Sequence, residues 1–284
     1  MKDRYATVPG LEQAVKDLVE RVQGISVLVL DKVDTLAGQI DLTRRETEMA
    51  LLEMGVLPRR YLRNYGTLGI EGQLALLRSS VAIIGLGGLG GYVVEGLARM
   101  GVGQLTLIDG DVFNDHNLNR QLLSSEENLG QTKASVARER VRRINRSIET
   151  SHHPCYATRE NLPDLLAGVD LVVDALDRLP TRLMLQDVVN QLGLPLVHGA
   201  IAGGMGQVMT ILPGDAGLRA LYGDGPVPEH GAEAELGTPA ASPMMVAAWQ
   251  VHEAVKVLTG KGTLLRGRML LMDASVGDVR ILDV

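Results

Sequence analysis

From Val81 onward the chain alternates short apolar runs with stretches whose apolar residues recur three and four positions apart, the periodicities of strands and of helices. Segments at 81–85, 104–108, 149–154, 170–174 and 195–199, all but the polar 149–154 largely apolar, read as strands separated by helical segments. That alternation predicts an α/β chain with a doubly wound, mostly parallel sheet. After His198 and Gly199 the pattern changes: QVMTILP, GRMLLMD and DVRILDV read as antiparallel C-terminal strands, with one long helical pattern near 243–259 among them. Residues 212–243, rich in Gly, Pro and Ala and without periodicity, read as a long mobile loop.

Residues 1–56 show another pattern. LEQAVKDLVERVQG and LTRRETEMALLEMG place apolar residues three and four apart among charges, which predicts amphipathic helices. An N-terminal helical extension, 1–56, is expected ahead of a main domain, 57–284, with Pro58 at its entry. The extension reads as a structural appendage that packs on the main domain, on a dimer partner or on another protein.

Gly85, Gly87 and Gly90 stand at the spacing G-x-G-x-x-G between the Val- and Ile-rich run and a helical pattern, with Gly88 and Gly91 beside them. Glycine turns sharply and lets backbone approach a phosphate, and the following helix N-terminus offers unpaired N–H groups. This strand, turn and helix give the sheet a Rossmann-like character. Asp109 ends the next strand, LTLID, where a carboxylate can accept hydrogen bonds from both ribose hydroxyls. NAD and ATP satisfy these features equally. The next stretch separates them, because a dehydrogenase has no need of Asn117, Arg120 and Lys133 just beyond the ribose acid. In nucleotidyl transfer, charge develops on the α-phosphate oxygens and on departing pyrophosphate, where fixed cations and an amide donor stabilise it.

The motifs GLGGLGG, D-x-D-x-x-x-x-x-N-x-x-R-Q and G-Q-x-K resemble those of the ThiF/MoeB/HesA adenylyltransferases, relatives of ubiquitin-activating enzymes. The resemblance extends from about Arg60 to the C-terminus through RYLRNYGTLGIEGQ, LVVDALD, GMGQV and VAAWQVHEAVKVLTG. It implies that ATP and the C-terminal Gly-Gly carboxylate of a ubiquitin-like sulfur-carrier protein react to an acyl-adenylate and pyrophosphate, in molybdopterin, tungstopterin or thiamine-type sulfur transfer. By that resemblance Asp109 holds the ribose, Asn117, Arg120 and Lys133 meet the phosphates, and Gly85, Gly87, Gly88 and Gly90 form the nucleotide loop. Asp177 would bind Mg²⁺, and Arg63 would reach across a homodimer interface to the partner's ATP. The loop at 212–243 would cross the carrier's tail, with Gly203, Gly204 and Gly206 leaving room for it. Residue by residue, blander readings exist: Asp174 and Asp177 as caps of the following helix, Arg63 as a surface ion-pair partner.

Two departures from the family pattern matter. Many relatives hold a structural zinc with two C-x-x-C pairs, whereas this chain has one cysteine and carries Gly217 and Ala220 where sulfur would sit. A cysteine-based zinc site is excluded. So is a thioester or acyl-persulfide step on a cysteine in the crossover segment, roughly 213–240. The second departure is Arg178, where relatives commonly carry Asn; it either touches phosphate or is exposed. Cys155, in SHHPCYATREN, reads as an unreactive small side chain of an edge strand, and His152 and His153 as solvated.

Composition agrees. At 284 residues with 45% hydrophobic and only 3% aromatic content, the chain can bury a large aliphatic core. A net charge of -6 argues against nucleic acid as partner. No apolar run approaches the ~20 residues that span a bilayer, so no membrane partner is expected, and a single cysteine suits a reducing cytoplasm. Other readings remain open: an NAD-binding oxidoreductase, a relative of the tRNA threonylcarbamoyladenosine dehydratases, and a pure interaction protein with an idle site.

Overall fold

The structure, a computed structural model, describes residues 11–229 and 231–284. The first ten residues of the expected extension lie outside the described residues. The rest of it comprises α1 (Leu11–Lys16), β1 (Glu20–Val22), β2 (Ile25–Leu28), α2 (Leu30–Ile40) and α3 (Arg44–Glu53), and β3 (Leu57–Pro58) begins the expected main domain. The two amphipathic segments behave differently. LTRRETEMALLEMG forms α3, started by a capping box between Thr43 and Glu46. LEQAVKDLVERVQG does not stay helical: it leaves the helix after Lys16 and enters a hairpin, because Gln23 and Gly24 both adopt positive φ (52° and 81°). Two consecutive positive-φ residues favour a hairpin whose twist matches its strands. β2 also pairs in parallel with β3, so Pro58 lies on the edge of a three-stranded sheet.

Then come α4 (Tyr65–Arg78), β4 (Ser80–Ile84), α5 (Gly88–Met100), β5 (Gln104–Ile108), α6 (Lys133–Ile144), β6 (Glu149–His153), α7 (Leu162–Leu165), β7 (Leu171–Asp174), α8 (Leu179–Gln191), β8 (Leu196–Ala202), β9 (Met205–Ile211), α9 (Leu218–Tyr222), α10 (Glu233–Leu236), α11 (Ala241–Thr259), β10 (Arg268–Asp273) and β11 (Asp278–Asp283). One eight-stranded sheet runs β11-β10-β9-β8-β7-β4-β5-β6. β8, β7, β4, β5 and β6 are parallel, and β9, β10 and β11 add antiparallel strands. This is the Rossmann-like, doubly wound α/β architecture with antiparallel C-terminal strands that the sequence pattern predicts.

Alternation along β4 shows why both faces are covered. Val81 and Ile83 pack with Leu97, Val141 and Val246 on one face. Ala82 and Ile84 pack with Leu183, Val188 and Leu166 on the other. A strand buried on both sides reads as a continuous apolar run, which is how β4 and β7 appear in the sequence. The chain runs β4 to β5 to β6 in one direction and then returns to place β7 on the opposite flank of β4. A crevice opens at such a reversal, above the carboxyl ends of the strands.

The small sheet and the large one meet over a buried polar junction. The Tyr61 hydroxyl donates to Glu48 Oε2 (3.2 Å) and accepts from Asn145 Nδ2 (2.9 Å), while the Arg60 guanidinium donates to Asn145 Oδ1. Arg45 donates to the Leu77 carbonyl and pairs with Glu149. Burial pushes the Glu48 carboxyl above its ordinary value, against the opposing charge of Arg60. Among the described residues no helix is long and apolar enough to cross a membrane.

Candidate active site

A cavity of about 390 Å³ opens over the carboxyl ends of the central strands. Each wall comes from a different strand end. β4 supplies Gly85, Gly87 and Gly88, β5 supplies Asp109 and Asp111, the region after β6 supplies Cys155 and Tyr156, β7 leads to Asp177, and β8 and β9 add His198 and Gln207. Arg120 and Lys133 reach it from the segment between β5 and α6.

The glycines divide into two kinds. Gly85 turns with φ +91°, and a Cβ there would lie 2.6 Å from the Ala175 carbonyl oxygen. A Cβ on Gly90 would stand 1.9 Å from the Gly85 oxygen, so helix α5 can seat against the strand only with glycine at that position. Gly90 does not line the cavity; it lets the loop close. Gly87 and Gly88 face the open space, where a Cβ would meet nothing nearer than 3.4 Å, and leave the start of α5 bare. The loop is tied to the next strand by its Leu86 N–H, which donates to Asp109 Oδ2 at 2.6 Å. Asp109 Oδ1 accepts from the Asp111 N–H (2.8 Å). Burial raises the Asp109 carboxyl above its ordinary value, opposed by the Lys133 charge and by these two N–H groups.

Lys133 is 6% exposed at the start of α6, and its Nζ lies 2.8 Å from Asp111 Oδ2. The other Asp111 oxygen accepts from the Tyr156 hydroxyl at 2.7 Å. For Asp111, burial pushes the carboxyl up, but the hydrogen bonds from Lys133 and Tyr156 outweigh it and the net shift is downward. Tyr156, 68% exposed, lays its ring on Gly110, where a Cβ would come within 2.7 Å of the ring. Neither Asp111 nor Tyr156 is among the site residues expected from sequence; the D-x-D spacing carries a signal for the first, and nothing local marks the second. Arg120 donates to the His116 carbonyl and Asn119 Oδ1, both at 2.9 Å. Asn117 is buried and does not line the cavity: its Oδ1 accepts from the Asn114 N–H (3.0 Å), and its carbonyl accepts from the N–H groups of Arg120 and Gln121. It shapes the turn that carries Arg120.

Asp177 is exposed on the cavity wall, and no ion pair joins it to another described residue. Neither Asp174 nor Asp177 caps α8, whose N-cap is Arg178. Asp174 is instead wholly buried, bonded to Arg182 and His198. Arg178 pairs with Glu229 of the crossover segment and is absent from the cavity wall. Arg63 is exposed on the turn before α4 and is not brought to this cavity. Cys155 lies just past the end of β6 rather than within it, and lines the cavity.

The segment after β9, expected as an unstructured loop, contains α9 and α10. Polar side chains of α8 hold α9: Gln186 bonds both the Leu218 N–H and the Ala216 carbonyl, and Asp187 pairs with Arg219. Gly217, in the place of a family cysteine, opens this helix with φ +55°.

The model of the ThiF family matches residues 61–284. The chain belongs to the ThiF family. Among relatives of this ThiF-family chain, the SAMP-activating enzyme E1 of Haloferax volcanii is 38% identical over 73% of the chain and 77% of the relative. The sulfur carrier protein adenylyltransferase of Thermus thermophilus is 39% identical over 76% and 83%. The mouse adenylyltransferase and sulfurtransferase MOCS3 is 33% identical over 87% of the chain and 61% of the relative. In fold, the chain is similar to Escherichia coli MccB solved with ATP (TM-score 0.65, 20% identity, 88% of this chain and 82% of that one). It is similar also to PaaA (TM-score 0.68, 22% identity, 80% and 73%).

Proposed function

We propose that this chain is an ATP-dependent adenylyltransferase that joins the C-terminal Gly-Gly carboxylate of a ubiquitin-like sulfur-carrier protein to AMP and releases pyrophosphate. The observation that carries it is the gathering of Asp109, Arg120, Lys133 and Asp177 around one cavity over the glycine loop, in a chain whose relatives are named sulfur carrier protein adenylyltransferase and SAMP-activating enzyme E1. Molybdopterin, tungstopterin and thiamine-type sulfur transfer are the settings such carriers serve.

Asp109 is assigned to the ribose hydroxyls, the N–H groups of Gly87 and Gly88 to the phosphates, and Arg120 and Lys133 to charge developing at the α-phosphate and pyrophosphate. Asn117 acts through the turn it builds under Arg120. Asp177 suits Mg²⁺, since an accessible carboxylate with no ion pair among the described residues is the kind of ligand this hard cation takes alongside phosphate oxygens. There the ion would supply charge neutralisation. The reaction is electrostatic: the attacking carboxylate is ionised at neutral pH, so alignment and charge stabilisation do the work and no base is needed. Arg63, exposed and away from its own cavity, is assigned to the partner's site in a homodimer. We place the enzyme in the cytoplasm.

Incubation with ATP, Mg²⁺ and small proteins ending in Gly-Gly, read by mass spectrometry, tests the assignment. A carrier gaining the mass of AMP at its C-terminus is expected. ATP left intact with every such protein refutes it.

A further inference from the structure

The adenylation reaction leaves one constellation in the cavity without work. His198 is 1% exposed yet borders the cavity, and β8 sets it in register beside Asp174 of β7. Its Nδ1 lies 2.7 Å from Asp174 Oδ2. An ionised carboxylate only accepts, so Nδ1 carries the proton and Nε2 keeps a lone pair, 3.1 Å from the Gln207 amide nitrogen, which donates to it. Among the described residues two charged groups face this imidazole, Asp174 from β7 and Arg182 from α8 at 3.2 Å from Nδ1, and β9 brings the neutral Gln207. Burial holds the imidazole below its ordinary value, and of its two charged neighbours Asp174 opposes that shift while Arg182 adds to it. The neutral form, the one able to take a proton, therefore prevails at neutral pH.

Sheet order says where this pair sits relative to a nucleotide. Asp109 and Tyr156 stand at the ends of β5 and β6, the glycine loop at β4, and Asp177 beyond β7. A nucleotide with its ribose on Asp109 and its phosphates over the loop leaves the β8–β9 side, with His198 and Gln207, for the acyl group. The single cysteine, Cys155, lies at the opposite end. The acyl group must therefore leave the adenylate for a nucleophile from outside. Hydrosulfide and persulfide ionise near neutral pH and need no base, whereas an amine must surrender a proton as it attacks.

We propose that His198, backed by Asp174, is the general base of a second half-reaction in which the acyl-adenylate is discharged onto a primary amine to give an amide. The amine nitrogen attacks the acyl carbon, the C–N bond forms, and the bond from that carbon to the phosphate oxygen breaks with its electron pair leaving on AMP. The nitrogen's proton moves to His198 Nε2, which gives up its bond from Gln207. This step rests on the adenylyltransferase reading.

The test uses the full chain with ATP, Mg²⁺ and its carrier, loads the adenylate, and then adds either lysine or sodium hydrosulfide. In His198→Asn the side-chain amide still donates to Asp174 but offers no base. Discharge onto lysine is expected to fall about 100-fold relative to discharge onto hydrosulfide, with partial recovery on adding imidazole. His198→Gln, read in the same way, serves if the Asn variant does not fold. Equal losses with both nucleophiles, or none with lysine, overturn the proposal while leaving adenylation intact. Absence of adenylate in the unsubstituted protein overturns the underlying reading, and this step with it.

Discussion

Replacing Lys133 with alanine separates what the ammonium does for the fold from what it does for the reaction. Its only ion pair among the described residues is with Asp111, whose side chain is 48% exposed and whose second oxygen stays on the Tyr156 hydroxyl. Loss of the ammonium leaves a hydrated, half-exposed carboxylate, not a stranded buried one, so the cost of losing the pair is about 1 kcal/mol. The alkyl stem is buried but lines the cavity, from which water can enter the space it vacates. The melting temperature should fall by about 2–4 °C at most. One fixed donor aimed at developing charge contributes about 2.7–4 kcal/mol in a transition state, or 100- to 1,000-fold in rate. Exchange of labelled pyrophosphate into ATP should drop by that factor, and Arg120→Ala should behave alike, since its guanidinium bonds, among the described residues, only within its own loop. Near-normal exchange in either variant removes the phosphate assignment. A collapse of the melting temperature alongside the lost activity refutes the structural half.

Gly90→Ala, with its Cβ 1.9 Å from the Gly85 oxygen, should cost about 3 kcal/mol or more in stability and weaken ATP binding, measurable by thermal melting and titration calorimetry. Glu48 has a raised carboxyl pKa, so its contribution is full below the unfolded value of 4.5 and is lost as pH rises through the higher folded value. Glu48→Gln should therefore melt higher than the unsubstituted protein at pH 8, with the gap closing at pH 4; a gap that widens on acidification refutes this. Arg63→Ala and Asp177→Ala, each inactive in pyrophosphate exchange, should regain up to about a quarter of the activity when mixed and allowed to exchange subunits, because random pairing gives half mixed dimers, each with one intact site. No recovery on verified subunit exchange counts against a shared site.

The centre of the sheet was legible because β4, β5 and β7 are runs of mostly apolar residues bounded by glycine or charge, whereas polar β6 was placed by the alternation around it. The runs at 81–85, 104–108 and 149–154 fall within a residue or so of β4, β5 and β6. The nucleotide loop was legible for a related reason: positions that admit only glycine leave a spacing that few other constraints produce. The hairpin at β1 and β2 was not, since Leu11, Val15, Leu18 and Val22 satisfy a helical period until Gln23 and Gly24 break it, and β3 lies far along the chain. The pairing of Tyr156 with Asp111 leaves no local trace because their bond spans 45 residues. Asp174 read as a cap because a lone aspartate after an apolar strand carries no mark of Arg182 or His198, which meet it only once β7 and β8 align.

At the opposite side of the molecule, the Tyr61 hydroxyl holds a carboxylate from the first fifty residues and an amide from the end of α6. Prising the small three-stranded layer away would break both bonds at one buried hydroxyl, so the two layers loosen in one event rather than peeling in turn.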